Sequence, residues 1–502
     1  MKIYKDVSDL ALLIKQERSQ GKKIGLSHGV FDLLHPGHIQ HFIAAKKSVD
    51  ILIVSITSEP FVNKGPGRPI FDDETRMSTL AAISAVDFVT VSRAKTAEEM
   101  ISTIQPDFYF KGSDYRNSSD DPTGKIENEK VILTKFGGEI VFTDEITSSS
   151  SKLINSFLNP FDKGVQKWIE DFRKTFSMDL LDYYLEQINK LDIALIGESI
   201  LDRYTMVDAL GKSSKDPILA FNILDTSIYA GGILAIANNC SNWVNSVSVH
   251  SVVGNQDIAE IDITTLLNKN INLNLSVSNL PTITKHRYID SGTKAKVFET
   301  YTYDPNFDVT KMASSFLKEL GSIKNASLVA VADYGHGLIS QEVISYIVDH
   351  SNFLSVNVQS NAGNRGFNHI SKYPRLDFFT ANSRELQIEM RTRTLDYSKV
   401  VPILMEKLGA TRSVITLGGE GLLVFKTNEF TPSPALAKKV VDKVGAGDSV
   451  FAISSLLSYV EAPSPVIGLL SNIIAANEIA NLGHQSPLSL GDIRKQLKSL
   501  LG

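Results

Sequence analysis

The sequence has very little cysteine and lacks a long apolar run. Cys240 is the single cysteine among 502 residues, so an intramolecular disulfide and a cysteine metal cluster are both excluded. No run of about 18 apolar residues occurs, which argues against a membrane-spanning helix. The opening residues, MKIYKDVSDLALLIKQERSQGKK, lack the apolar core of a signal peptide. We therefore expect a cytoplasmic protein with no membrane partner.

An excess of positive charge is also missing. The formal net charge is −5 and the isoelectric point is near 6.1, which gives no reason to expect nucleic acid or an anionic membrane as a partner. The hydrophobic content of 43% and the charged content of 21% are typical of a soluble globular protein. A chain of 502 residues exceeds what one hydrophobic core usually serves, so we expect two or more domains.

Short apolar strands alternate with helices after a lead-in helix in residues 1–22, which is typical of a parallel sheet covered on both faces. The predicted strands are residues 24–31, 51–57, 87–92, 107–110 and 139–143, with helices around 73–84 and 97–104. In such a sheet, ligands bind beyond the carboxyl ends of the strands. Candidate residues that follow predicted strands, and that we expect to converge there, are His35, Lys64, Lys111, Ser149, Ser150 and Ser151.

The stretch IGLSHGVFDLLHPGH carries two histidines, His35 and His38, in the pattern H-x-G-H where a helix begins near Pro36. Proline suits a first helical turn, and a helix N-terminus attracts phosphate through its free N–H groups. Imidazoles at this position can stabilise charge that develops on an α-phosphate. A bare H-x-G-H is also compatible with two ordinary surface histidines, so the pattern needs support from the rest of the chain.

The motif GVFDLLHPGH resembles the signature of the H-x-G-H nucleotidylyltransferases of the cytidylyltransferase-like superfamily. Later segments resemble that family's motifs in the same order: KGPGRPIFDDETR (64–76), PDFYFKGSDY (106–115) and TSSSSKLI (147–154). The resemblance implies a Rossmann-like domain over residues 1–158, with His35, His38 and Lys64 as catalytic residues. The nucleotide contacts it implies are Gly29, Phe31, His35, His38, Lys111, Asp114, Ser149, Ser150 and Ser151.

Residues 159–190 differ in character from the segments on either side. Trp168, Phe172, Phe176, Leu180, Tyr184 and Ile188 recur at every fourth residue, which predicts one apolar stripe of a helix with an interruption near Ser177. We expect a helical linker that packs against a domain or a second subunit.

A second series of motifs runs from residue 191 to the end of the chain and resembles the ribokinase-like (PfkB) sugar kinases. The segments that carry the resemblance are LDIALIGESILDRY (191–204), YAGGILAIANN (229–239), TITKHRY (282–288), VADYGHG (331–337), TANSRE (380–385), TLGGEG (416–421) and DKVGAGDSVFA (442–452). The resemblance implies an α/β kinase domain over residues 191–502 with a small β lid.

The GAGD motif also predicts a mechanism of its own. Gly445, Ala446 and Gly447 would begin a helix and leave their amides free to surround a transferring phosphoryl group. Asp448 would point from the first turn toward the acceptor hydroxyl as a general base. A lone GAGD is also compatible with a simple helix cap, and the partner motifs argue against that alternative.

The resemblance implies the remaining roles in the second domain. Glu385 would act on Mg²⁺ through a water molecule, and Asn382 would work through the same ion. Expected ATP contacts are Asn382, Glu385, Thr416, Gly418, Gly421, Gly445, Ala446, Gly447 and Asn472. Expected sugar contacts are Asp202, Gly231, Gly232 and Asp448.

The chain departs from the family patterns mainly at positions that face the sugar. Ala235 stands where the family has asparagine, Asn357 and Gln359 lie where the heptose branch has D-P-K, and His336 replaces a lysine. Two further departures are Lys443 in place of threonine and His28 in place of the asparagine of N-G-x-F-D. Because the phosphate-handling motifs are kept, we expect a changed acceptor.

The sequence therefore resembles the bifunctional heptose-phosphate kinase/adenylyltransferases, with the domain order reversed. We expect a homodimeric enzyme that phosphorylates a sugar or sugar phosphate with ATP. It would also transfer CMP or AMP from CTP or ATP to a sugar or polyol phosphate, with Mg²⁺ and without nucleic acid. Two alternatives stay open: a transferase whose kinase-like domain is degenerate and serves dimerisation or sensing, and a non-catalytic nucleotide-binding regulator.

Overall fold

The chain forms two compact units, Met1–Glu170 with Gly491–Gly502, and Asp171–Leu490. The computed structural model describes residues 2–112, 125–143, 160–255, 262–304, 313–364, 366–427, 429–483 and 487–502. This division differs from the predicted boundaries of 1–158, 159–190 and 191–502, chiefly because the last residues of the chain lie in the first unit.

A six-stranded parallel sheet is the centre of the described part of the first unit. Its strands are β1 (Ile3–Tyr4), β2 (Ile24–Gly29), β3 (Ile51–Thr57), β4 (Phe88–Ser92), β5 (Phe108–Gly112) and β6 (Glu139–Thr143). Its helices are α1 (Val7–Ser19), α2 (Pro36–Lys46), α3 (Asp73–Ala81), α4 (Glu98–Ile104) and α5 (Lys125–Lys135). Every residue of β3 is buried, as expected for a strand that is covered on both faces.

The strand order β1-β4-β3-β2-β5-β6 places a switch in chain direction at β2. From β2 the chain proceeds to β3 and β4 on one side, and β5 and β6 lie on the other side. A ligand crevice opens at such a switch point, beyond the carboxyl ends of the strands. The H-x-G-H loop follows β2 directly and therefore lies at this crevice.

The segment predicted as a helical linker consists of two helices, α6 (Lys163–Thr175) and α7 (Met178–Ile188). Ser177 caps α7 by accepting a hydrogen bond from the backbone N–H of Leu180 at 3.3 Å. The break shifts the helical register, so the buried residues of α7 are Leu181, Leu185 and Ile188. The predicted stripe of every fourth residue therefore does not continue through Leu180 and Tyr184.

The second unit has a nine-stranded sheet in the order β11-β10-β7-β14-β15-β16-β17-β18-β19 within its described residues. The strands are β7 (Asp192–Gly197), β10 (Ser246–Gly254), β11 (Ile271–Ser278), β14 (Leu328–Asp333), β15 (Leu354–Val358), β16 (Phe378–Asn382), β17 (Arg412–Thr416), β18 (Leu422–Lys426) and β19 (Glu429–Ser433). The strands from β11 to β17 pair in parallel, and β18 and β19 are antiparallel.

The helices of this unit cover the sheet, and the last helix of the chain belongs to the first unit. The helices of the second unit that follow β7 are α8 (Ile233–Cys240), α9 (Ala313–Glu319), α10 (Gln341–His350), α11 (Ser383–Glu389), α12 (Tyr397–Leu408), α13 (Ala446–Tyr459) and α14 (Ser464–Ile479). The last helix, which belongs to the first unit, is α15 (Leu490–Leu501). Within the described ranges, no helix has the length and apolarity needed to cross a bilayer.

A separate four-stranded sheet, which we call the lid, has the order β13-β12-β8-β9. Its strands are β8 (Ser199–Lys212), β9 (Leu219–Gly232), β12 (Ile283–Asp290) and β13 (Lys296–Thr302). The stretch from 191 to 204, which resembles a single first strand, is thus divided. Its first half pairs in the main sheet and its second half pairs in the lid, and Glu198 lies at the division.

Candidate active sites

His35 and His38 lie together at the start of α2. His35 is the N-cap residue and Pro36 occupies the first turn. The two imidazole rings are stacked, with centroids 3.9 Å apart. Both rings therefore lie at a helix end whose free N–H groups favour a phosphate.

Phe31 packs against His38, one member of this pair. Its backbone is left-handed, with φ of 47°, and its ring meets His38 edge-on at 5.3 Å between centroids. A non-glycine residue in this region is uncommon and occurs at functional sites. Gly29 leaves room for the ring, because an added Cβ would lie 3.1 Å from it.

The Lys64 loop, residues 63–71, is fixed by Asp32 of the GVFD motif. The Asp32 carboxylate accepts the backbone N–H groups of Ile70 at 2.8 Å and Phe71 at 3.1 Å, and it pairs with Arg68 at 3.5 Å. Burial and then the charge of Arg68 lower the pKa of Lys64, while Asp32 opposes the shift. Two cations thus share one carboxylate, and such a cluster favours a polyanionic ligand.

Arg76 joins the same region from α3 and is fully buried. Its guanidinium donates to the carbonyls of Val30 at 2.7 Å and Thr57 at 2.9 Å. Val30 directly follows β2, and Thr57 is the last residue of β3. It also donates to Phe71 O at 3.0 Å and to Asp73 at 2.6 Å. The roles of Asp32, Arg68 and Arg76 were not predicted, although all three lie inside the quoted motifs.

Lys111 lies at the end of β5, beside β2, and forms an ion pair with Glu129 of α5 at 3.0 Å. Its predicted contact with nucleotide therefore competes with a protein partner. The predicted contacts Asp114, Ser149, Ser150 and Ser151 lie outside the described residues.

Two other histidines near this site have structural roles. His41 bonds Ser27 and Thr143 through its two ring nitrogens, each at 2.7 Å. His28 bonds Ser55 at 2.7 Å and Thr57 at 3.2 Å. Burial, with the charges of Lys111 and Lys495, lowers the pKa of His28 to about 3, so His28 is neutral at physiological pH.

In the second unit, α13 begins at Ala446 with Gly445 as its N-cap in the left-handed region, at φ of 82°. Space beside Gly447 is open among the described residues, because none of their atoms lies within 4 Å of a Cβ added there. Asp448 lies in the first turn and is 9% exposed. The GAGD motif therefore begins a helix, as predicted, and its role as an anion hole with an adjacent base stays a prediction.

The loop before α13 is held by Asp442, a residue that was not predicted to act in the site. Its carboxylate accepts hydrogen bonds from the Tyr204 hydroxyl at 2.9 Å, Lys296 Nζ at 2.5 Å and the backbone N–H of Val444 at 3.0 Å. Lys443, which replaces the family threonine, is exposed. The loop conformation therefore depends on Asp442 rather than on the side chain that follows it.

Three groups from different elements share the surroundings of Asp448. Burial and then the Asp448 charge raise the pKa of the Tyr334 hydroxyl. Burial lowers the pKa of Lys285, while the charges of Asp202 and Asp448 oppose that shift. Burial raises the pKa of Glu385 to about 7, and Asp448 adds to this rise. Tyr334 and Lys285 were not among the predicted site residues.

Asn382 and Glu385 form a reciprocal cap at the start of α11. The Asn382 side chain accepts the N–H of Glu385 at 2.9 Å, and the Glu385 carboxylate accepts the N–H of Asn382 at 2.8 Å. Glu385 is nevertheless a partly buried carboxylate with a raised pKa, so a nearby cation would stabilise its charged form. Oxygen ligands of this kind fit Mg²⁺ that keeps most of its waters.

The other predicted ATP contacts occupy two places. Thr416 ends β17, and Gly418 and Gly421 belong to the turn between β17 and β18. Asn472 lies within α14 and donates its amide to the Ser433 hydroxyl at 2.9 Å, so it already secures the end of β19. Its contact with ATP stays a prediction.

Three of the four predicted sugar contacts, Asp202, Gly231 and Gly232, lie on strands of the lid, whereas Asp448 lies on α13. Asp202 of β8 forms an ion pair with Arg287 of β12. A Cβ added at Gly231 would lie 2.3 Å from the Asp202 carboxylate, so glycine is required there for the carboxylate to fit. Gly232, with φ of 57°, caps α8. Arg287 was quoted within a motif without a predicted role.

A small pocket of about 40 Å³ lies beside the division between β7 and the lid, lined by Glu198, Tyr303, Asp304 and His336 among others. The Glu198 carboxylate accepts the N–H groups of Tyr334 and His336, both at 3.0 Å. Burial and then the Lys285 charge lower the pKa of His336 to about 4. His336 therefore offers this pocket a neutral ring, where the related kinases have a lysine.

Comparison with known families gives one match in each unit. A family model described as cytidylyltransferase-like matches residues 26–156. A second model, the pfkB family carbohydrate kinases, matches residues 190–458, which is more than half of the chain. The predicted resemblance and the predicted α/β fold class are thereby confirmed.

Individual relatives match one part of the chain at a time. The bifunctional protein HldE of Nitrobacter hamburgensis is 37% identical over 152 residues, and HldE of Desulfatibacillum aliphaticivorans is 35% identical over 158 residues. The chain covers 30% and 31% of the length of these two curated relatives, and the matches use 30% and 31% of the chain. They fall in its N-terminal part.

Solved structures agree with the fold of the second unit. Phosphofructokinase-2 of Escherichia coli, in complex with potassium, aligns with a TM-score of 0.51 and 14% identity, over 62% of this chain and 99% of that one. A mutant of the same enzyme gives the same TM-score at 15% identity. The chain belongs to the pfkB family of carbohydrate kinases and carries a cytidylyltransferase-like domain ahead of its pfkB domain.

Proposed function

We propose that this protein is a bifunctional enzyme that makes a nucleotide-activated sugar or polyol. The single observation that best supports the kinase half is Asp448 in the first turn of α13, next to the amides of Gly445 to Gly447. The stacked pair of His35 and His38 at the start of α2 supports the transferase half. The curated relatives of the N-terminal part carry the name bifunctional protein HldE, which is consistent with two linked reactions.

In the kinase reaction, an acceptor hydroxyl oxygen attacks the γ-phosphorus of ATP. Its proton passes to the Asp448 carboxylate, and the bond from the γ-phosphorus to the bridging oxygen breaks to release ADP. The amides at the start of α13 stabilise the charge on the transferring phosphoryl group. Lys285, which interacts electrostatically with Asp448, would attract the anionic part of either substrate.

In the transferase reaction, a phosphate oxygen of a sugar or polyol phosphate attacks the α-phosphorus of CTP or ATP. The bond to the β-phosphate bridging oxygen breaks and pyrophosphate leaves. His35, His38 and the start of α2 stabilise the charge on the α-phosphate, while Lys64 and Arg68 attract the triphosphate. No covalent enzyme intermediate is needed, because positioning and charge stabilisation suffice.

Mg²⁺ would neutralise phosphate charge in both reactions. In the kinase unit, Glu385 and Asn382 would hold it through water molecules. We also infer a changed acceptor, because His336 brings a neutral ring where related kinases have lysine, and because Asn357 uses its amide to hold Thr380 at 2.9 Å. A cytoplasmic location completes the proposal, since both reactions consume nucleoside triphosphates.

The proposal includes a homodimer formed through the lid. Apolar side chains remain exposed on its strands, including Leu219 at 65%, Ile223 at 63% and Phe298 at 46%. Exposed apolar groups concentrated on one small sheet are typical of an interaction surface.

The test is incubation of the full-length protein with Mg²⁺, ATP, CTP and pooled sugars, polyols and their phosphates, followed by phosphorus NMR. A sugar-phosphate resonance together with a diphosphate-ester pair is expected, and the diphosphate ester identifies the nucleotide. Asp448→Asn should lower phosphorylation by about 10²–10⁴ and leave nucleotidyl transfer intact, whereas His38→Ala should do the reverse.

The alternatives predict different results. A diphosphate ester formed only from phosphorylated acceptors, with Asp448→Asn without effect, would favour the transferase with a degenerate kinase domain. Complete absence of turnover in the wild-type protein would favour the regulator. The buried, polar surroundings of Asp448 favour an active kinase, because a domain that served only dimerisation would not need them.

A further inference from the structure

The last helix of the chain, α15, lies against the Lys64 loop of the first unit. The Asn63 amide donates to Asp492 at 2.6 Å, and the Gln496 amide donates to Asn63 at 2.6 Å. All three side chains are buried. A Cβ added at Gly65 would lie 3.6 Å from Gln496 Cβ, so the helix and the loop are in direct contact on both sides of Lys64.

The chemistry of these groups fixes their orientation. The Asp492 carboxylate can only accept hydrogen bonds, so Asn63 must present its amino group to it. The carbonyl oxygen of Asn63 then faces Gln496, which must present its own amino group in turn. Each amide is oriented by the one before it, and the network ends at the side-chain carbonyl of Gln496.

Among the described residues, that carbonyl is a buried acceptor without a donor. Gln496 is 3% exposed, and its Oε1 finds no hydrogen-bond partner in the part of the chain that the structure describes. Buried polar atoms are rarely left unsatisfied in folded proteins unless a ligand or water completes them. The position of this atom beside the Lys64 loop makes a substrate the natural source of the donor.

A second contribution of α15 is charge. The charge of Lys495 acts on His28 together with that of Lys111, and His28 is bonded to the last residues of β3. Lys498 lies on the same helix but is exposed. One lysine of α15 therefore adds to the positive potential at the carboxyl ends of β2 and β3, and the other does not.

We propose that α15 belongs to the nucleotidylyltransferase site. Asp492 and Gln496 position the Lys64 loop through Asn63, and the side-chain carbonyl of Gln496 accepts a hydrogen bond from a substrate. The inference rests on the proposed nucleotidyl transfer. The donor is a hydroxyl of the sugar or polyol acceptor, or the amino group of the nucleotide base. Asn63, Asp492 and Gln496 are positioning residues, and Gln496 also binds.

The positioning role is tested by exchanging the two ends of one hydrogen bond. Asn63→Asp alone brings two carboxylates together and should lower kcat/KM for nucleotidyl transfer by about 10²-fold, the cost of displacing a reacting group by about 1 Å. Asn63→Asp with Asp492→Asn restores a donor and an acceptor in the opposite sense. The double variant should therefore recover to within about threefold of the wild type, a scale at which a residual effect is below 1 kcal/mol.

Hydrogen exchange of the loop gives a readout besides turnover. Amides of residues 63–71 should exchange faster in Asn63→Asp and return to wild-type rates in the double variant, while kinase activity stays unchanged in both. Wild-type kinetics and exchange in Asn63→Asp would overturn the positioning role, and so would a double variant that fails to recover.

The binding role is tested by Gln496→Met, which keeps the length of the side chain and removes the amide, with Lys498→Met as the matched control on the same helix. A raised KM for the acceptor assigns the donor to its hydroxyl, and a raised KM for the nucleotide assigns it to the base. Unchanged KM values for both substrates would overturn the binding role. Absence of nucleotidyl transfer in the wild type would contradict the proposed function instead, and the exchange measurement would still test the positioning.

Discussion

Asn382 and Glu385 cap each other's backbone, and the carboxylate that completes this cap has a pKa near 7. A cap alone does not need a charged group, since Ser340 caps α10 with a neutral hydroxyl. The proximity of Glu385 to Asp448, which adds to the rise in its pKa, connects the cap with the proposed kinase site.

We expect Glu385→Gln to raise KM for ATP in the presence of Mg²⁺ by roughly tenfold, equivalent to about 1.4 kcal/mol. Below pH 7 a proton competes with the cation for the Glu385 carboxylate. The apparent affinity of the wild type for Mg²⁺ should therefore be higher at pH 8 than at pH 6. The glutamine variant should lose this pH difference. Steady-state kinetics with Mg²⁺ titrations at both pH values provide the measurement.

The control for this prediction is Ser340→Ala. Loss of that N-cap should cost about 1 kcal/mol of stability without any change in Mg²⁺ dependence. If Glu385→Gln resembles Ser340→Ala in both respects, the carboxylate is only a cap and the metal role is wrong.

Arg76 should be essential for the stability of the first unit. Arg76→Met leaves the carbonyls of Val30 and Thr57 without their donor and leaves Asp73 without its cation. Breaking a buried charged network in this way costs about 3–5 kcal/mol. Thermal unfolding followed by calorimetry should show a lower transition for the first unit alone. Arg93→Met, at an exposed position, should leave both transitions unchanged, and an equal loss in the two variants would contradict the prediction.

Much of both sites can be predicted from sequence because their residues lie next to strongly patterned elements. The strand ILIVSIT is β3 at the predicted bounds, Ile51–Thr57, and the H-x-G-H and GAGD motifs both begin helices as expected. A run of this length with five apolar β-formers among seven residues, followed by polar residues, has few other structural solutions.

The parts that could not be predicted depend on contacts between distant residues. Asn63 and Asp492 are 429 positions apart, and no local pattern indicates that the last helix docks on the first unit. The division of the chain at Glu198 between two sheets is likewise invisible, because both halves have the sequence pattern of an extended strand. Asp32 and Arg76 bond mainly to backbone groups, which leave no signal in residue types.

The lid should be the dimer interface. Ile223→Asp places a charge among exposed apolar groups and should convert a dimer into a monomer, because an unpaired charge in a desolvated interface is costly. Asn222→Asp, at the neighbouring exposed position, adds the same charge at a polar site and serves as the control. Light scattering coupled to gel filtration measures the mass. A monomeric wild type at micromolar concentration, or a dimer that survives Ile223→Asp, would contradict the interface.

His28 should make the first unit sensitive to acid. Its pKa of about 3 in the folded state is below the unfolded value near 6.5, so the unfolded state binds one more proton between these pH values. Stability contributed by the neutral ring is therefore complete above pH 6.5 and is lost as the pH falls toward 3, by about 1.4 kcal/mol for each pH unit.

His28→Asn, which restores the asparagine of related sequences, removes the titrating ring. Denaturant unfolding of the first unit between pH 6.5 and 4.5 should give a shallower decline in the variant than in the wild type. Parallel declines would show that His28 is already protonated or exposed in the folded state, and would contradict its role as a neutral, buried ring that bridges Ser55 and Thr57.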